Sequence, residues 1–427
     1  MSNALWKGVL VIGGGTALAQ VIGIISIPII TRLYDPSDFG LLGIYISVLT
    51  VLTVFTSLRY DYAIPIPELS SKAANIFALC VAILIGVSGV LSITLFLLGD
   101  TIADLLDMQD LMPYTWLIVI GFLGSGIYQV LNYWAIRQRD YSRITRTRVS
   151  QSIGGATSKI LLGLLSLGPL GLILGYIISS IAGIYTFTKA IEETDRDAFR
   201  GLSVAGIKSA AHEYRSFPIY SVPASLLVAI ASQIPVFVLS SMYGLSVVGW
   251  YTLAYQMLSL PVGLIAGSMA QVFYGEAAKD VREDPGRLRH LYLDTIKKLA
   301  QIALPMIGIP ALLAPWLFPI VFGESWGQAG LYCLPLALVA VSQFIVMPTS
   351  RLAIYGFNHW DLYFNISWTI LLICVFYFVD MLGFSPIVAL TVYGSITACM
   401  YGILYKLNIY AIDNLKSRTN GRPITPP

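Results

Sequence analysis

Twelve apolar stretches, each long enough to cross a bilayer as a helix, follow one another along this chain. They lie at 9–31, 39–60, 74–98, 113–135, 149–167, 169–189, 217–241, 248–273, 295–321, 328–348, 362–381 and 385–407. A helix needs about 20 apolar residues to span the hydrocarbon core. Lipid offers no partner to a peptide group, so only helices and closed barrels can cross it. The short alternating strands of a barrel are absent, and the pattern predicts an all-α integral membrane protein with twelve transmembrane helices. Composition agrees. Of 427 residues, 56% are hydrophobic and 11% charged, against about 25% charged in a soluble domain.

The gaps between the stretches set the orientation. With the N-terminus placed in the cytoplasm, the even-numbered loops and both termini carry 24 of the 26 Lys and Arg residues. The densest inner segments are Arg137 to Arg148, with five Arg, and Lys279 to Lys298, with six Lys or Arg. The outer loops carry Arg32 and a series of acids: Asp35, Asp38, Asp100, Asp104, Asp107, Asp110, Glu324 and Asp380. One span more or fewer would break this alternation. Ala17-Leu18-Ala19 resembles a signal-peptidase site, but the apolar run continues to Ile30, so the first stretch is expected to remain as a helix.

The longest inner loop, 190–216, falls at the midpoint of the twelve spans. It is expected to join an N-terminal six-helix lobe (1–189) to a C-terminal one (217–410), with a disordered cytoplasmic tail over 411–427. The loop opens on an acidic patch (Glu192, Glu193, Asp195, Asp197). An amphipathic stretch follows, with Lys208, His212 and Arg215 on one face, suited to the inner leaflet or to a solvated helix. The outer loop 99–112 reads as a helical turn with Asp100, Asp104 and Asp107 on one face. An internal repeat supports the six-plus-six division. Tyr34-x-x-Ser37-x-x-Gly40 recurs as Tyr243-x-x-Ser246-x-x-Gly249 at an offset of 209, each copy preceded by a proline (Pro28, Pro235). Both copies fall on the same side, as expected for pseudo-twofold lobes related by an axis along the membrane normal. Two such lobes around a central cavity, rocking in alternating access, is a transporter architecture.

Lys159 is the cation that topology does not explain. It stands about eleven residues into the fifth span, roughly 16 Å deep. A lysine at that depth costs about 2.5–3.5 kcal/mol on insertion scales unless it meets water or an anion. Ser150, Gln151, Ser152, Gly154, Gly155, Thr157 and Ser158 surround it with small and polar residues, which suits a water-filled cavity. Arg59 and Asp61 end the second span. Arg presents a planar fork suited to phosphate. Arg146 and Arg148, entering the fifth span, extend the cationic entrance, and Arg351 offers the second lobe its own contact. Arg32 has Asp35 and Asp38 nearby in sequence and serves either as their partner or as a substrate contact. No acid lies deep in any span, so the cargo is expected to be an anion. Asp61 and Glu276, near inner span ends, are the candidates for ion coupling.

Other chemistry finds no support. Cys80, Cys333, Cys374 and Cys399 lie singly in apolar runs, and the three His are scattered, so no metal site is implied. Gly13-Gly14-Gly15 lacks the spacing of a nucleotide loop, and there is no Walker motif. No cofactor and no nucleic-acid partner are implied.

The blocks Ile27-Pro28-Ile29-Ile30-Thr31-Arg32-Leu33-Tyr34-Asp35-Pro36-Ser37-Asp38-Phe39-Gly40 and Leu58-Arg59-Tyr60-Asp61-Tyr62-Ala63-Ile64 resemble those of bacterial polysaccharide flippases of the Wzx type. These belong to the superfamily that also contains multidrug exporters and the lipid II flippase. The resemblance implies a non-enzymatic protein of the bacterial inner membrane. Its substrate would be an undecaprenyl-pyrophosphate-linked oligosaccharide for O-antigen, lipopolysaccharide or related surface polysaccharide. It also implies a cationic lumen, ion coupling, and company with a polysaccharide polymerase and a chain-length regulator. Arg32, Arg59 and Asp61 occupy the motif positions. Lys159, Arg146 and Arg351 rest on the charge argument. At the 209 offset Arg32 is matched by Ser241, which weights an anion site to the first lobe. Two other readings compete: an exporter of drugs or small anions with the same fold, and a membrane-embedded polymerase. The polymerase would need a substantial outer loop, whereas these are at most about 14 residues long and lack His.

Overall fold

In the computed structural model the described residues are 2–191, 195–283, 285–352, 354, 355 and 357–419. All regular structure among them is helical. The first ten helices are α1 (Ser2–Ile30), α2 (Pro36–Leu52), α3 (Ser70–Leu106), α4 (Thr115–Arg137), α5 (Tyr141–Leu164), α6 (Pro169–Ile181), α7 (Ile184–Ala190), α8 (Arg196–Phe199), α9 (Val204–Glu213) and α10 (Val222–Tyr243). Then come α11 (Leu245–Pro261), α12 (Gly267–Glu283), α13 (Pro285–Ala303), α14 (Ile309–Phe322), α15 (Gly327–Val346), α16 (Asn358–Met381) and α17 (Pro386–Thr419). Each of the twelve apolar stretches falls on a helix or on two joined end to end, except that the second, 39–60, outruns α2 into irregular backbone. Two of the joints, Val262–Ala266 and Leu304–Gly308, are π-helical turns. Nine helical runs among the described residues are long and apolar enough to cross a membrane. α5 is not among them, because Arg143, Arg146, Arg148 and Lys159 dilute its apolar face.

Two compact units divide the chain, Met1–Gly249 and Trp250–Pro427. The division falls one helix beyond the expected linker at 190–216. In the first unit α10 packs along α2. Ser47 Oγ donates to Gln233 Oε1 at 2.7 Å, and Val222 and Ala229 share an apolar core with Val54. The described residues of the segment 190–216 are themselves structured. α9 lays Ile207, Ala210, Ala211 and Tyr214 on the core around α3 and leaves Lys208, His212 and Arg215 exposed. Asp195 accepts from Trp134 Nε1 and Gln138 Nε2, both at 2.9 Å. Glu192 and Glu193 lie outside the described residues. On the outer side α3 simply continues past Asp100 and Asp104, and Asp107 ends it in a left-handed conformation (φ 53°).

The chain also departs from the expected tail at 411. α17 continues to Thr419, and Ala411, Ile412 and Leu415 are buried with Leu288 and Tyr292 of α13. Leu404, Asn408, Ala411, Ile412 and Leu415 recur at helical spacing, and Arg289 pairs with Asp413 at 3.2 Å. Residues 420–427 lie outside the described residues.

The internal repeat has a physical basis. A Cβ added at Gly40 would stand 1.9 Å from the Leu245 carbonyl oxygen, and one added at Gly249 would stand 1.8 Å from that of Pro36. Residues 36 and 245 are equivalent at the 209 offset, as are 40 and 249, so the contact is reciprocal. The starts of α2 and α11 meet backbone to backbone, which only glycine permits at both positions. Replacing Gly40 or Gly249 with Ala is therefore expected to cost about 1–3 kcal/mol by overpacking. Thermal unfolding of the detergent-solubilised variants, followed by size-exclusion fluorescence, checks this. An unchanged midpoint would contradict it.

Candidate functional site

The second apolar stretch does not end where its hydropathy does. α2 stops at Leu52 and passes through a 3-10 turn, Thr53–Phe55. Thr50, Thr53 and Thr56 each turn their hydroxyl back onto a carbonyl three or four residues earlier, at 2.8–2.9 Å, a habit that loosens helices. Leu58 and Arg59 then adopt left-handed φ values of 47° and 64°, costly for bulky side chains. A second 3-10 turn, Tyr60–Ala63, follows. Arg59 and Asp61 thus sit on a strained turn rather than on a helix end.

The turn is over-determined by its neighbours. Asp61 is fully buried, and its carboxylate accepts from Ser57 Oγ at 2.5 Å and from Gln129 Nε2 of α4 at 2.7 Å. Tyr60 donates its hydroxyl to the Ala211 carbonyl of α9 at 2.9 Å. Arg137, at the end of α4, donates to the carbonyls of Ile64, Pro67 and Glu68. These bonds occupy the peptide groups that the irregular backbone leaves over. Arg59 does not pair with Asp61, two residues away. Its guanidinium lies 5.2 Å from the Tyr62 ring centroid, and its Nε is buried without a partner. Tyr62 in turn contacts the rings of Tyr133 and Phe217. The arrangement keeps a cationic fork beside aromatic surface with bonding capacity to spare.

Lys159 lies between α5 and α6. Its side chain passes so close to Gly175 that a Cβ there would stand 2.4 Å from Lys159 Cγ. Tyr34 donates its hydroxyl to the Lys159 carbonyl at 2.8 Å. Among the described residues the Lys159 ammonium has no hydrogen bond or ion pair. The small polar face expected to line water is largely used in packing. Ser152 Oγ donates to the Ala19 carbonyl of α1 at 2.6 Å. Gln151 Nε2 donates to the Ser180 carbonyl of α6, and Ser179 Oγ to that of Gln151. Only Ser150 and Thr157 of that set stay exposed.

The remaining candidates are dispersed. Arg146 is exposed. Thirteen residues separate it from Lys159, about 20 Å and about 220° of helix rotation, so the two point to nearly opposite sides of α5. Arg148, eleven residues before Lys159, shares its face and donates to Thr16 Oγ1 of α1. Arg32 is exposed on the turn after α1, while the Asp38 carboxylate accepts from the Asp35 amide at the start of α2. In the second unit, Arg351 follows α15. Its amide donates to Asn408 Oδ1, its guanidinium to the carbonyls of Ser350 and Ala270, and its Nε is buried without a partner. Glu276 is exposed on α12.

Gln129, Ser57 and Arg137 carry the turn and were not legible as site residues. A polar side chain inside the otherwise apolar α4 is the signal for Gln129. A side chain that binds only carbonyls, as Arg137 does, leaves no signature in its own residue type.

Comparison with known proteins follows the same direction. Residues 29–330 match the family described as polysaccharide biosynthesis protein. The chain is similar to the lipopolysaccharide biosynthesis protein WzxC of Escherichia coli (strain K12), 23% identical over 337 residues, 77% of this chain and 64% of that one. It is likewise similar to the succinoglycan biosynthesis transport protein ExoT of Rhizobium meliloti (strain 1021), 23% identical over 342 residues, 78% of this chain and 64% of that one. The match thus spans 64% of the length of these two relatives. Among solved structures, the inward-facing conformation of a multidrug resistance MATE family transporter of the MOP superfamily superposes with a TM-score of 0.69. It is 15% identical and covers 93% of this chain and 96% of that one. This likeness shows the all-α fold expected from the twelve spans.

The turn analysis yields a test. Arg137→Met removes the donors to the 64–68 carbonyls and is expected to loosen the turn, raising hydrogen exchange of residues 57–68 by about tenfold (one lost charged bond is worth about 1.5–3 kcal/mol). Exchange equal to that of the parent protein would show that the carbonyl bonds do not hold the turn.

Proposed function

This chain belongs to the polysaccharide biosynthesis protein family, and from that premise we propose that it is a flippase for a lipid-linked oligosaccharide. It would carry an undecaprenyl-pyrophosphate-linked substrate from the inner to the outer leaflet of the bacterial inner membrane by alternating access, with both termini in the cytoplasm. The product would pass to a polysaccharide polymerase and a chain-length regulator for surface polysaccharide assembly. The observation that carries the reading is the Arg59 fork, fixed on a buried turn yet not neutralised by Asp61.

A pyrophosphate entering from the cytoplasm needs a planar donor fork and a place to put its charge as water is left behind. Arg59 supplies the fork. Lys159 supplies the second charge deeper in. An ammonium and a phosphate oxygen 4 Å apart gain about 4 kcal/mol at an effective dielectric constant of 20, comparable to the cost of placing either in the bilayer. Arg148 lies on the same face of α5 toward the cytoplasmic end and extends the path. Arg146 and Arg32 are left as contacts outside this path, and Arg351 would give the second unit its own contact with the anion. Asp61, buried and bonded to Ser57 and Gln129, is the proposed ion-coupling group. Glu276, exposed on α12, is the alternative coupling group.

An exporter of drugs or small anions would use the same fold. Cell-free flipping of a labelled lipid-linked sugar by the reconstituted protein separates the two readings, since such an exporter leaves that substrate in place. Lys159→Gln keeps the Cγ that packs on Gly175 and removes only the charge. It is expected to abolish surface glycan export while the protein stays inserted at normal levels, and wild-type export in this variant would refute the deep anion contact. Asp61→Asn is expected to leave substrate-dependent thermal stabilisation intact and to remove the response of flipping to a pH gradient. A retained response would move the coupling site elsewhere.

A further inference from the structure

The second unit contains an apolar groove of about 540 Å³ between α13, α14, α15 and α17. Its walls are mostly aliphatic. The polar wall atom on α15, Ser342 Oγ, is already bonded to the carbonyls of Leu338 and Val339. Its depth comes from the backbone. The π-helical turn Leu304–Gly308 widens the α13–α14 joint, and a Cβ placed at Gly308 or Gly402 would meet nothing within 4 Å. Tyr401 and Tyr405 of α17 complete the lining, so phenol hydroxyls join the groove at that wall.

Its position along the helices matters. α15 enters from the proposed outer side at Gly327, and its wall residues run from Leu334 to Val346. Those of α17 run from Ala398 to Tyr405. Both sets occupy the half that the basic loops mark as cytoplasmic. Just beyond the groove's end stands Arg351, five residues after Val346. Its amide is tied to Asn408, about one helical turn past Tyr405. An apolar channel with a cation at its cytoplasmic end is complementary to a hydrocarbon chain that ends in a phosphate.

We propose that this groove seats the phosphate-proximal isoprene units of the polyprenyl pyrophosphate, with Arg351 at its mouth facing the pyrophosphate. The proposal rests on the flippase reading and assigns the lipid tail a place on the protein in the inner half of the membrane. The tail is then bound before the sugar moves, and the carrier lipid is selected by branched chain and anionic end together.

Photolabelling of the intact protein in phosphatidylcholine vesicles tests it. The probes are a diazirine-tagged geranylgeranyl pyrophosphate and a diazirine-tagged phosphatidylglycerol. Peptides covering 334–346 and 398–405 are expected to be labelled by the prenyl probe and protected by unlabelled undecaprenyl pyrophosphate. The phospholipid probe is expected to label them no more than other spans. Gly402→Leu and, separately, Gly308→Leu fill the groove and are expected to lower prenyl labelling about tenfold, and Arg351→Gln, which leaves the groove open, to lower it by a similar factor. Equal labelling by both probes would mean that ordinary acyl chains fill the groove and would overturn the proposal, as would wild-type peptides that escape the prenyl probe. Those wild-type measurements need no variant to fold. Flipping of labelled lipid-linked sugar is scored in the same vesicles. Flipping without groove labelling sinks the groove alone, and groove labelling without flipping sinks the flippase reading alone.

Discussion

A charge or peptide group that leaves water for hydrocarbon must find its partners in the protein, and the organisation of the first unit follows from that demand. Ser152 of α5 is bonded to α1, and Gln151 of α5 to α6. The carbonyls freed by the broken end of α2 are taken by Arg137. Asp61 is matched by Ser57 and Gln129. Against this background the Lys159 ammonium and the Arg59 Nε stand out, because the surrounding structure is rich in donors and acceptors yet supplies them none among the described residues.

The strained turn has a second property. It is gripped from α4 through Gln129, Tyr133 and Arg137, and from the segment after α8 through Ala211 and Phe217. Leu58 and Arg59 store backbone strain where the cation is presented. The turn that presents Arg59 and the packing of α9 on the core around α3 thus share one set of residues.

Much of this was readable in the sequence, and the rest failed for identifiable reasons. Bilayer thickness and one-sided basic loops act over whole spans, so the number and placement of helices could be read directly. The break in α2 was hidden because Thr53, Val54 and Phe55 are as apolar as any span, and hydropathy is blind to three threonines bonding backwards. The polar face of α5 was read as wet because small polar residues line water and helix contacts alike. Deciding between them needs the partner helix, which here is α1 at Ala19 and α6 at Ser180. The end of α17 looked like tail because Asp413, Asn414, Lys416 and Arg418 raise its polarity, while Ala411, Ile412 and Leu415 carry the packing.

The glycine contact between the starts of α2 and α11 bears on the origin of the chain. Exchanging the two copies of the repeat maps the contact onto itself, so a single ancestral segment would specify both of its surfaces. A half-length chain bearing one Tyr-x-x-Ser-x-x-Gly segment could then have joined a second copy of itself through the same two glycines before fusion placed both in one polypeptide. Each glycine is packed against the opposite copy's backbone and not against its own, so a change at either position would be felt in the other copy.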